Sequence, residues 1–194
     1  MIQSKADYKY YVACDLKAHQ LHSVSLYDYW WRDCLRFQLR LRRIEYLYNV
    51  KRNNPLCRVW LIGLEIVNHI LATRLGFFIP KNIFGPGLCI VHYGTIVVSP
   101  FAKIGAWCRI HPSTSIGEYN GTPQLGDYVY VGPGAKIFGN ISIGDNVAIG
   151  ANAVVNKSFG SNLIVGGVPA HVLSDKGAKD SGVYPQSVFT ANNN

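Results

Sequence analysis

From residue 98 onward, an aliphatic residue recurs at every sixth position of the chain. The two phased runs are Val98, Ile104, Ile110 and Ile116, and then Leu125, Val131, Ile137, Ile143, Ile149 and Val155. A glycine often follows the aliphatic residue, and a small or β-branched residue stands two positions before it. The nine-residue step from Ile116 to Leu125 indicates one loop insertion, around residues 119–121. A hexapeptide period sustained over ten positions predicts a parallel β-helix.

In such a fold each hexad forms a short strand and a turn, and the aliphatic side chain points inward. Three hexads make a coil of about 18 residues, and coils stack about 4.8 Å apart. Each coil buries its core only against its neighbours, so the solenoid needs several coils and capped ends. Crossovers between parallel strands are normally right-handed. Physical arguments from the sequence alone therefore do not choose a left-handed solenoid.

The preceding residues have a helical period instead. We divide the chain into a helical region (1–75), a β-helix (76–173) and a tail (174–194), which we expect to be partly disordered. We expect helices near 5–20, 25–51 and 56–75, with a turn at Asn53-Asn54-Pro55. The helical region is the natural N-terminal cap of the solenoid. The second helix carries one stripe that includes polar residues: Trp31, Leu35, Gln38, Leu39, Arg42 and Tyr46.

Charge is concentrated in the helical region. The chain has a net charge of +8, and residues 1–75 hold 12 Lys/Arg against 6 Asp/Glu. This excess indicates an anionic partner, such as a membrane surface, an acidic glycan or a nucleic acid, or simply a solvated helix face. No nucleic-acid reading motif is recognisable, so we do not expect a nucleic-acid partner. Polar residues within 56–79 disfavour a membrane span, and we expect at most peripheral membrane contact or a subunit interface.

Cysteine usage bears on the compartment. The chain has five cysteines and no CxxC pair, which favours a reduced, cytoplasmic protein without disulfides or a zinc knuckle. The first residues contain no apolar run typical of a signal peptide. We expect a cytoplasmic location, which includes the inner face of the membrane.

One histidine stands out just before the regular coils, in the segment CIVHYGTIVVS. Counting back by six from Val98 reaches His92, which would make it an inward core position. The residue is then a buried core histidine, or the coil is irregular there, or the ring sits at a corner that faces a neighbouring subunit. The count alone leaves these alternatives open.

Three segments resemble a known family: IGAWCRIHPSTSIG, LGDYVYVGPGAKIFGNISIGDNVAIGANAVVNKSF and VGGVPAHVL. They resemble the hexapeptide-repeat acyltransferases, and most of all the serine acetyltransferase branch and its relatives in capsule and lipopolysaccharide gene clusters. The resemblance covers about residues 76–173. It implies an all-β, left-handed parallel β-helix with an α-helical N-terminal region. It also implies acetyl-CoA as donor, a hydroxyl acceptor, and a homotrimer with active sites between subunits. We expect no metal, and the helical region is the part of the chain available for pairing two trimers.

The resemblance also assigns roles to residues. CIVHYGTIVVS matches the family segment that carries the catalytic histidine, so His92 is expected to be the general base; histidine suits this role because its ordinary pKa lies near the working pH. A backbone N–H of a neighbouring coil would stabilise the oxyanion. By position, the residues expected to contact CoA are Gly117, Gly132, Pro133, Ala151 and Lys157.

The chain departs from the serine acetyltransferase pattern around the acceptor. Val91 and Phe77 stand where the family has aspartates, and GEYNGTPQ replaces a GGDRHP-like loop. An uncharged pocket fits a sugar hydroxyl better than an amino acid. We therefore expect an O-acetyltransferase of polysaccharide biosynthesis that acts on a glycan or another small hydroxyl acceptor. The residues expected to line the acceptor pocket are Tyr93, His111, Glu118 and Tyr119.

Three alternatives stay open. The first is a serine O-acetyltransferase of the cysteine-biosynthesis type. The second is a zinc carbonic anhydrase on the same fold, which would need three converging histidines. The third is a non-catalytic scaffold whose basic helices bind a partner.

Overall fold

A computed structural model describes residues 1–189. Four helices precede a parallel β-solenoid. The helices are α1 (Lys5–Ala18), α2 (Leu26–Trp31), α3 (Asp33–Val50) and α4 (Pro55–Leu75). α3 packs against both α1 and α4, and α4 leads directly into the first coil.

The helix ends follow from local side-chain chemistry. The Ser4 hydroxyl accepts a hydrogen bond from the Asp7 N–H at 3.0 Å and caps α1. The side chain of Asn54 caps α4, and Gly76, with φ of +79°, ends it in the left-handed conformation. The single helix expected over 25–51 is two helices, because the backbone at Arg32 leaves the helical region (φ −102°, ψ 81°).

The solenoid has three faces of short strands. The strands are β1 (Phe77–Phe78), β2 (Cys89–Ile90), β3 (Ile96–Val98), β4 (Lys103–Ile104), β5 (Arg109–Ile110), β6 (Thr114–Gly117), β7 (Gln124–Leu125), β8 (Tyr130–Val131), β9 (Lys136–Phe138), β10 (Ser142–Ile143), β11 (Ala148–Ile149), β12 (Val154–Val155), β13 (Ile164–Gly166) and β14 (His171–Ser174). Sheet A contains β1, β3, β6, β9 and β12; sheet B contains β4, β7 and β10; sheet C contains β2, β5, β8, β11, β13 and β14. All pairs are parallel except β13 with β14, a hairpin that closes the last coil.

The interior confirms the hexapeptide period. All ten aliphatic positions of the two runs are at most 5% exposed. The small or β-branched residues two positions earlier are buried as well: Ala102, Cys108, Thr114, Val129, Ala135, Ile141, Val147 and Ala153. Each hexad of the two runs thus contributes two inward side chains to one continuous core, because side chains alternate along extended backbone.

The glycines that follow the inward residues do not serve to provide positive φ at the turns. A Cβ on Gly132 would lie 2.7 Å from the Ile149 carbonyl oxygen of the next coil. Glycine is required there by the close approach of the backbones. Positive φ at one set of corners is adopted instead by Trp107, Tyr128, Asn146 and Asn162.

A buried ion cluster joins the helical region to the first coil. Arg42 on α3 is fully buried and donates to Asp15 Oδ2 at 2.8 Å and to Glu45 Oε2 at 3.0 Å. It also donates to the carbonyl oxygens of Phe84 (3.0 Å) and Gly85 (2.6 Å). The helices therefore cap the solenoid through charge-assisted hydrogen bonds as well as through apolar packing.

The described part of the C-terminal tail packs against the solenoid. Two 3₁₀ helices, Lys179–Ser181 and Gln186–Val188, fold back over the corner at Trp107 and Tyr128. The Tyr184 hydroxyl donates to the Trp107 carbonyl at 2.7 Å. As far as residue 189 the tail has defined contacts with the solenoid. Residues 190–194, on which the rest of the expectation of partial disorder falls, lie outside the described residues.

Candidate active site

His92 lies where sheet C passes into sheet A, at a corner that we call the C–A edge. Ile90 pairs with Ile110, which pairs with Val131, which in turn pairs with Ile149. Two residues beyond these partners, the equivalent positions on successive coils are His92, Pro112, Pro133 and Ala151. Three of the predicted site residues, His92, Pro133 and Ala151, therefore form one column along this edge.

The corner at His92 is two residues longer than the corner one coil later. Ile90 pairs with Ile110 and Ile96 pairs with Thr114, so residues 91–95 occupy the place that residues 111–113 occupy in the next coil. The count by six that placed His92 inward fails because it assumes coils of constant length. The His92 side chain is exposed at the corner, so the core-histidine alternative is wrong.

His111 lies one coil along the same edge and is half-buried. Its ring centroid is 5.0 Å from that of Tyr130, and its Nε2 is buried without a hydrogen-bond partner within the described residues. Burial, Arg109 and His92 together lower the pKa of His111 to about 4. The ring is therefore neutral at physiological pH.

This lowered pKa predicts a specific loss of stability in acid. Between about pH 6.5 and pH 4 the unfolded chain holds a proton on His111 that the folded chain does not. The free energy of unfolding therefore falls as the pH falls through this window. Urea unfolding at pH 7 and pH 4.5 should show a smaller acid-induced loss for His111→Gln than for the wild type. His22→Gln, an exposed control, should keep the wild-type loss; equal losses in all three proteins would contradict the assignment.

A cavity of about 300 Å³ opens beside His92. It lies between the α2–α3 junction and the C–A edge, and its lining residues are His19, Trp31, Arg32, Asp33, Cys34, Leu35, Ile90, Val91, His92 and Tyr93. Sequence reasoning found His92 and Tyr93 but missed the helical wall. The break between α2 and α3 at Arg32 positions this wall. The sequence has no glycine or proline at this point that would predict the break.

The helical wall carries two opposite charges on consecutive residues. Arg32 Nε lies 2.9 Å from Asp28 Oδ1, and its side chain is 48% exposed. Asp33 accepts a hydrogen bond from Arg36 and its side chain is 44% exposed. Exposed ion pairs of this kind contribute little to stability, so both groups can exchange their partners for a ligand.

The other reactive groups of the cavity are held in structural contacts. His19 Nε2 lies 3.2 Å from Gln38 Oε1, and burial lowers the pKa of His19. Burial raises the pKa of the Cys34 thiol to about 11, which keeps it protonated and a poor nucleophile. His92 is therefore the exposed base of this cavity.

The remaining predicted site residues divide between two edges. Tyr93, His111 and Gly132 lie on the C–A edge with the His92 column. Gly117, Glu118, Tyr119 and Lys157 lie at the opposite edge of sheet A, where it passes into sheet B; we call this the A–B edge. There the Ser99 hydroxyl donates to Glu118 Oε1 at 2.7 Å, and Lys157 Nζ lies 5.5 Å from the Phe159 ring centroid. A single chain does not bring these two groups of residues together.

A larger cleft of about 940 Å³ lies elsewhere, between α1, the solenoid and the C-terminal segment. Its lining contains aromatic and basic residues, including Trp107, Tyr128 and Lys179, and no histidine or cysteine among residues 1–189. Over residues 1–189, no group of three or more His, Cys, Asp or Glu side chains is placed to hold a metal ion.

Comparison with known proteins identifies relatives. The family model "Bacterial transferase hexapeptide (six repeats)" matches residues 122–157. The chain is 34% identical over 121 residues to a serine acetyltransferase of Synechococcus elongatus (59% of this chain, 50% of the relative) and 36% identical over 105 residues to one of Staphylococcus aureus strain Mu50 (52% and 49%). The chain thus spans about half the length of these curated relatives.

A solved structure of a serine acetyltransferase in complex with CoA matches the fold over most of the chain. The TM-score is 0.67 at 26% identity, with 88% of this chain and 72% of that chain covered. The solenoid is accordingly a left-handed β-helix, as the resemblance implied.

These findings correct the expected acceptor. The relatives with matching sequence and fold are named serine acetyltransferases, so the preference for a sugar or polysaccharide acceptor is wrong. That preference rested on the missing charges at Val91, Phe77 and the 118–124 loop, and it did not foresee the charges that the helical region brings to His92. The repeat, the left-handed solenoid and the matched relatives together support the hexapeptide-repeat acyltransferase family for this chain.

Proposed function

We propose that the protein is an acetyl-CoA-dependent serine O-acetyltransferase. The observation that carries this proposal is the cavity at the C–A edge, in which exposed His92 faces a wall with Arg32 and Asp33 side by side. An amino acid presents a carboxylate, an ammonium group and, in serine, a hydroxyl. The cavity offers one group of suitable charge or basicity for each of them.

In the proposed reaction His92 acts as the general base. Its imidazole nitrogen accepts the proton of the serine hydroxyl while the hydroxyl oxygen attacks the thioester carbonyl of acetyl-CoA. The tetrahedral oxyanion is stabilised by backbone N–H groups of the edge. The C–S bond then breaks, the acetyl group stays on the serine oxygen, and the CoA thiolate takes the proton back from His92.

The serine acetyltransferase pattern has acceptor-binding aspartates at the positions of Val91 and Phe77. In this chain we assign their role to the charges at the α2–α3 junction. Phe77 is buried against Phe37, with ring centroids 5.2 Å apart, so this position holds no ligand group. In our proposal the Arg32 guanidinium binds the serine carboxylate, and Asp33 binds the ammonium group. Arginine suits the first role because its planar fork matches a carboxylate.

Acetyl-CoA would run along the C–A edge past His92. Pro133 and Ala151 follow His92 in the same column, and Gly132 stands beside them; small residues allow the pantetheine arm to approach the backbone. We further propose a homotrimer in which a neighbouring subunit supplies its A–B edge, with Gly117, Glu118, Tyr119 and Lys157. This arrangement would unite the two groups of residues that one chain keeps apart, and Lys157 would serve as a point charge for a CoA phosphate.

The test is thiol release from acetyl-CoA with three acceptors: L-serine, ethanolamine, which lacks the carboxylate, and 3-hydroxypropionate, which lacks the ammonium group. Arg32→Gln should raise the KM for L-serine about tenfold or more, the effect of one lost hydrogen bond to a charged group, and leave ethanolamine unaffected. Asp33→Asn should raise the KM for L-serine similarly and leave 3-hydroxypropionate unaffected. Arg43→Gln, at an exposed position of α3 that does not line the cavity, is the matched control.

The outcomes separate the two parts of the proposal. Absence of CoA release with L-serine in the wild type would overturn the proposed function. Turnover of L-serine with an unchanged KM in both variants would leave the function in place and show that the acceptor-binding role of Arg32 and Asp33 is wrong.

A further inference from the structure

The outward face of α4 is an uninterrupted apolar surface, which we call the α4 stripe. Its residues recur at intervals of three and four, as on one face of a helix. They are between 46% and 81% exposed: Leu56, Val59, Trp60, Ile62, Ile66, Val67 and Ile70. Gly63 lies on the same face, and a Cβ there would have nothing within 4 Å. Contiguous exposed apolar surfaces, formed here by seven side chains on one helix face, mark interaction sites.

The opposite face of α4 is anchored in the protein. Leu61, Leu71 and Leu75 are buried, and α4 packs along α3 and β1. By length and composition alone, Pro55–Leu75 is apolar enough to cross a membrane. Its packing on α3 and β1 favours instead a membrane contact in which the helix axis is parallel to the surface.

Basic residues surround the α4 stripe. Lys51 and Arg52 are exposed just before its first residue, Arg58 is exposed along one side, and Arg74 is exposed at its end. The acidic residue of the helix, Glu65, is neutralised by Lys81, whose Nζ lies 2.6 Å from Glu65 Oε1. The rim of the stripe is therefore positive.

We propose that the α4 stripe docks the protein onto an anionic lipid bilayer, with α4 lying in the plane of the interface. The apolar side chains enter the boundary between headgroups and acyl chains, and Trp60 sits at headgroup depth. The rim arginines extend to lipid phosphates, and each basic residue near an anionic surface strengthens the attraction.

The rim charges favour a bilayer over a second copy of the chain. A two-fold contact between copies uses the same patch twice, so it would bring two sets of rim cations together. Like charges that face each other across an interface oppose association. An anionic bilayer instead neutralises them, and the docking is independent of whether the proposed acetyl transfer is correct.

The experiment is flotation of the full chain with two kinds of vesicle. One contains phosphatidylcholine alone, and the other contains phosphatidylcholine with about 30 mol% phosphatidylglycerol, which makes its surface anionic. We expect binding to the anionic vesicles and weakening of that binding in high salt. Val59→Glu with Ile66→Glu should reduce the bound fraction about tenfold or more, and Arg58→Gln with Arg74→Gln should reduce it about tenfold. Phe101→Glu, an exposed apolar position on the solenoid, should bind like the wild type.

Two results would overturn the proposal. One is wild-type protein that stays unbound on anionic vesicles, while Val59→Glu with Ile66→Glu lowers the oligomeric mass measured by light scattering; the stripe would then be a contact between copies. The other is equal binding of the wild type and the stripe variant, which would place any lipid contact elsewhere. Circular dichroism of each variant checks that the helices persist.

Discussion

Replacement of His92 by alanine is expected to lower kcat for acetyl transfer by about 10²–10⁴-fold, the usual contribution of a positioned general base. The side chain is exposed at the C–A edge and lies on the wall of the cavity. Because it lies outside the core, its removal leaves the interior packing intact. The KM for acetyl-CoA should change little, since the proposed CoA contacts are made by other residues. Steady-state thiol release with L-serine measures both constants.

His22→Ala is the matched control, because His22 is also exposed but lies away from the cavity. It should keep wild-type kcat. A His92→Ala protein with kcat within tenfold of the wild type would remove the general-base assignment. His19 and His111 would then be the next positions to replace, since both lie close to His92 in the structure.

The solenoid core could be predicted from the sequence because its period is local. Each inward position is fixed by its neighbours one coil away, so the residue types at Ile110, Val131 and Ile149 already specify the stack. The same regularity misled at His92. A regular period does not predict a corner that is two residues longer. This extra length places the His92 ring on the outside of the solenoid.

The helical wall of the cavity could not be predicted in the same way. The apolar stripe of residues 25–51 continues through Arg32, and helical periodicity gives no sign of a break there. The break and the tertiary packing of α3 on the first coil bring Arg32 and Asp33 to His92. The predicted stripe also contained two polar residues, Gln38 and Arg42. Both are fully buried, and both donate hydrogen bonds to carbonyl oxygens of the first coil.

Arg42→Met is expected to lower the free energy of unfolding by about 3–5 kcal/mol, the cost of breaking a buried ion pair by removing one partner. The substitution leaves the carboxylates of Asp15 and Glu45 in the interior without their cation, and both are at most 2% exposed. It also leaves the carbonyl oxygens of Phe84 and Gly85 without this donor. Since folded domains are stable by only about 5–15 kcal/mol, urea denaturation should show a large drop in the midpoint.

A second substitution separates lost packing from uncompensated charge. Asp15 Oδ1 also accepts from the N–H groups of Gly87 (2.8 Å) and Leu88 (2.9 Å). Asparagine keeps an acceptor for these groups and removes the charge, so Arg42→Met with Asp15→Asn should be more stable than Arg42→Met alone. Arg43→Met, at the adjacent exposed position, should stay within about 0.5 kcal/mol of the wild type. If Arg42→Met costs no more than this control, apolar packing and the hydrogen bonds of Gln38 and Asp15 hold the helical region on the first coil without the Arg42 cation. The α2–α3 wall of the cavity then does not depend on the ion cluster for its position.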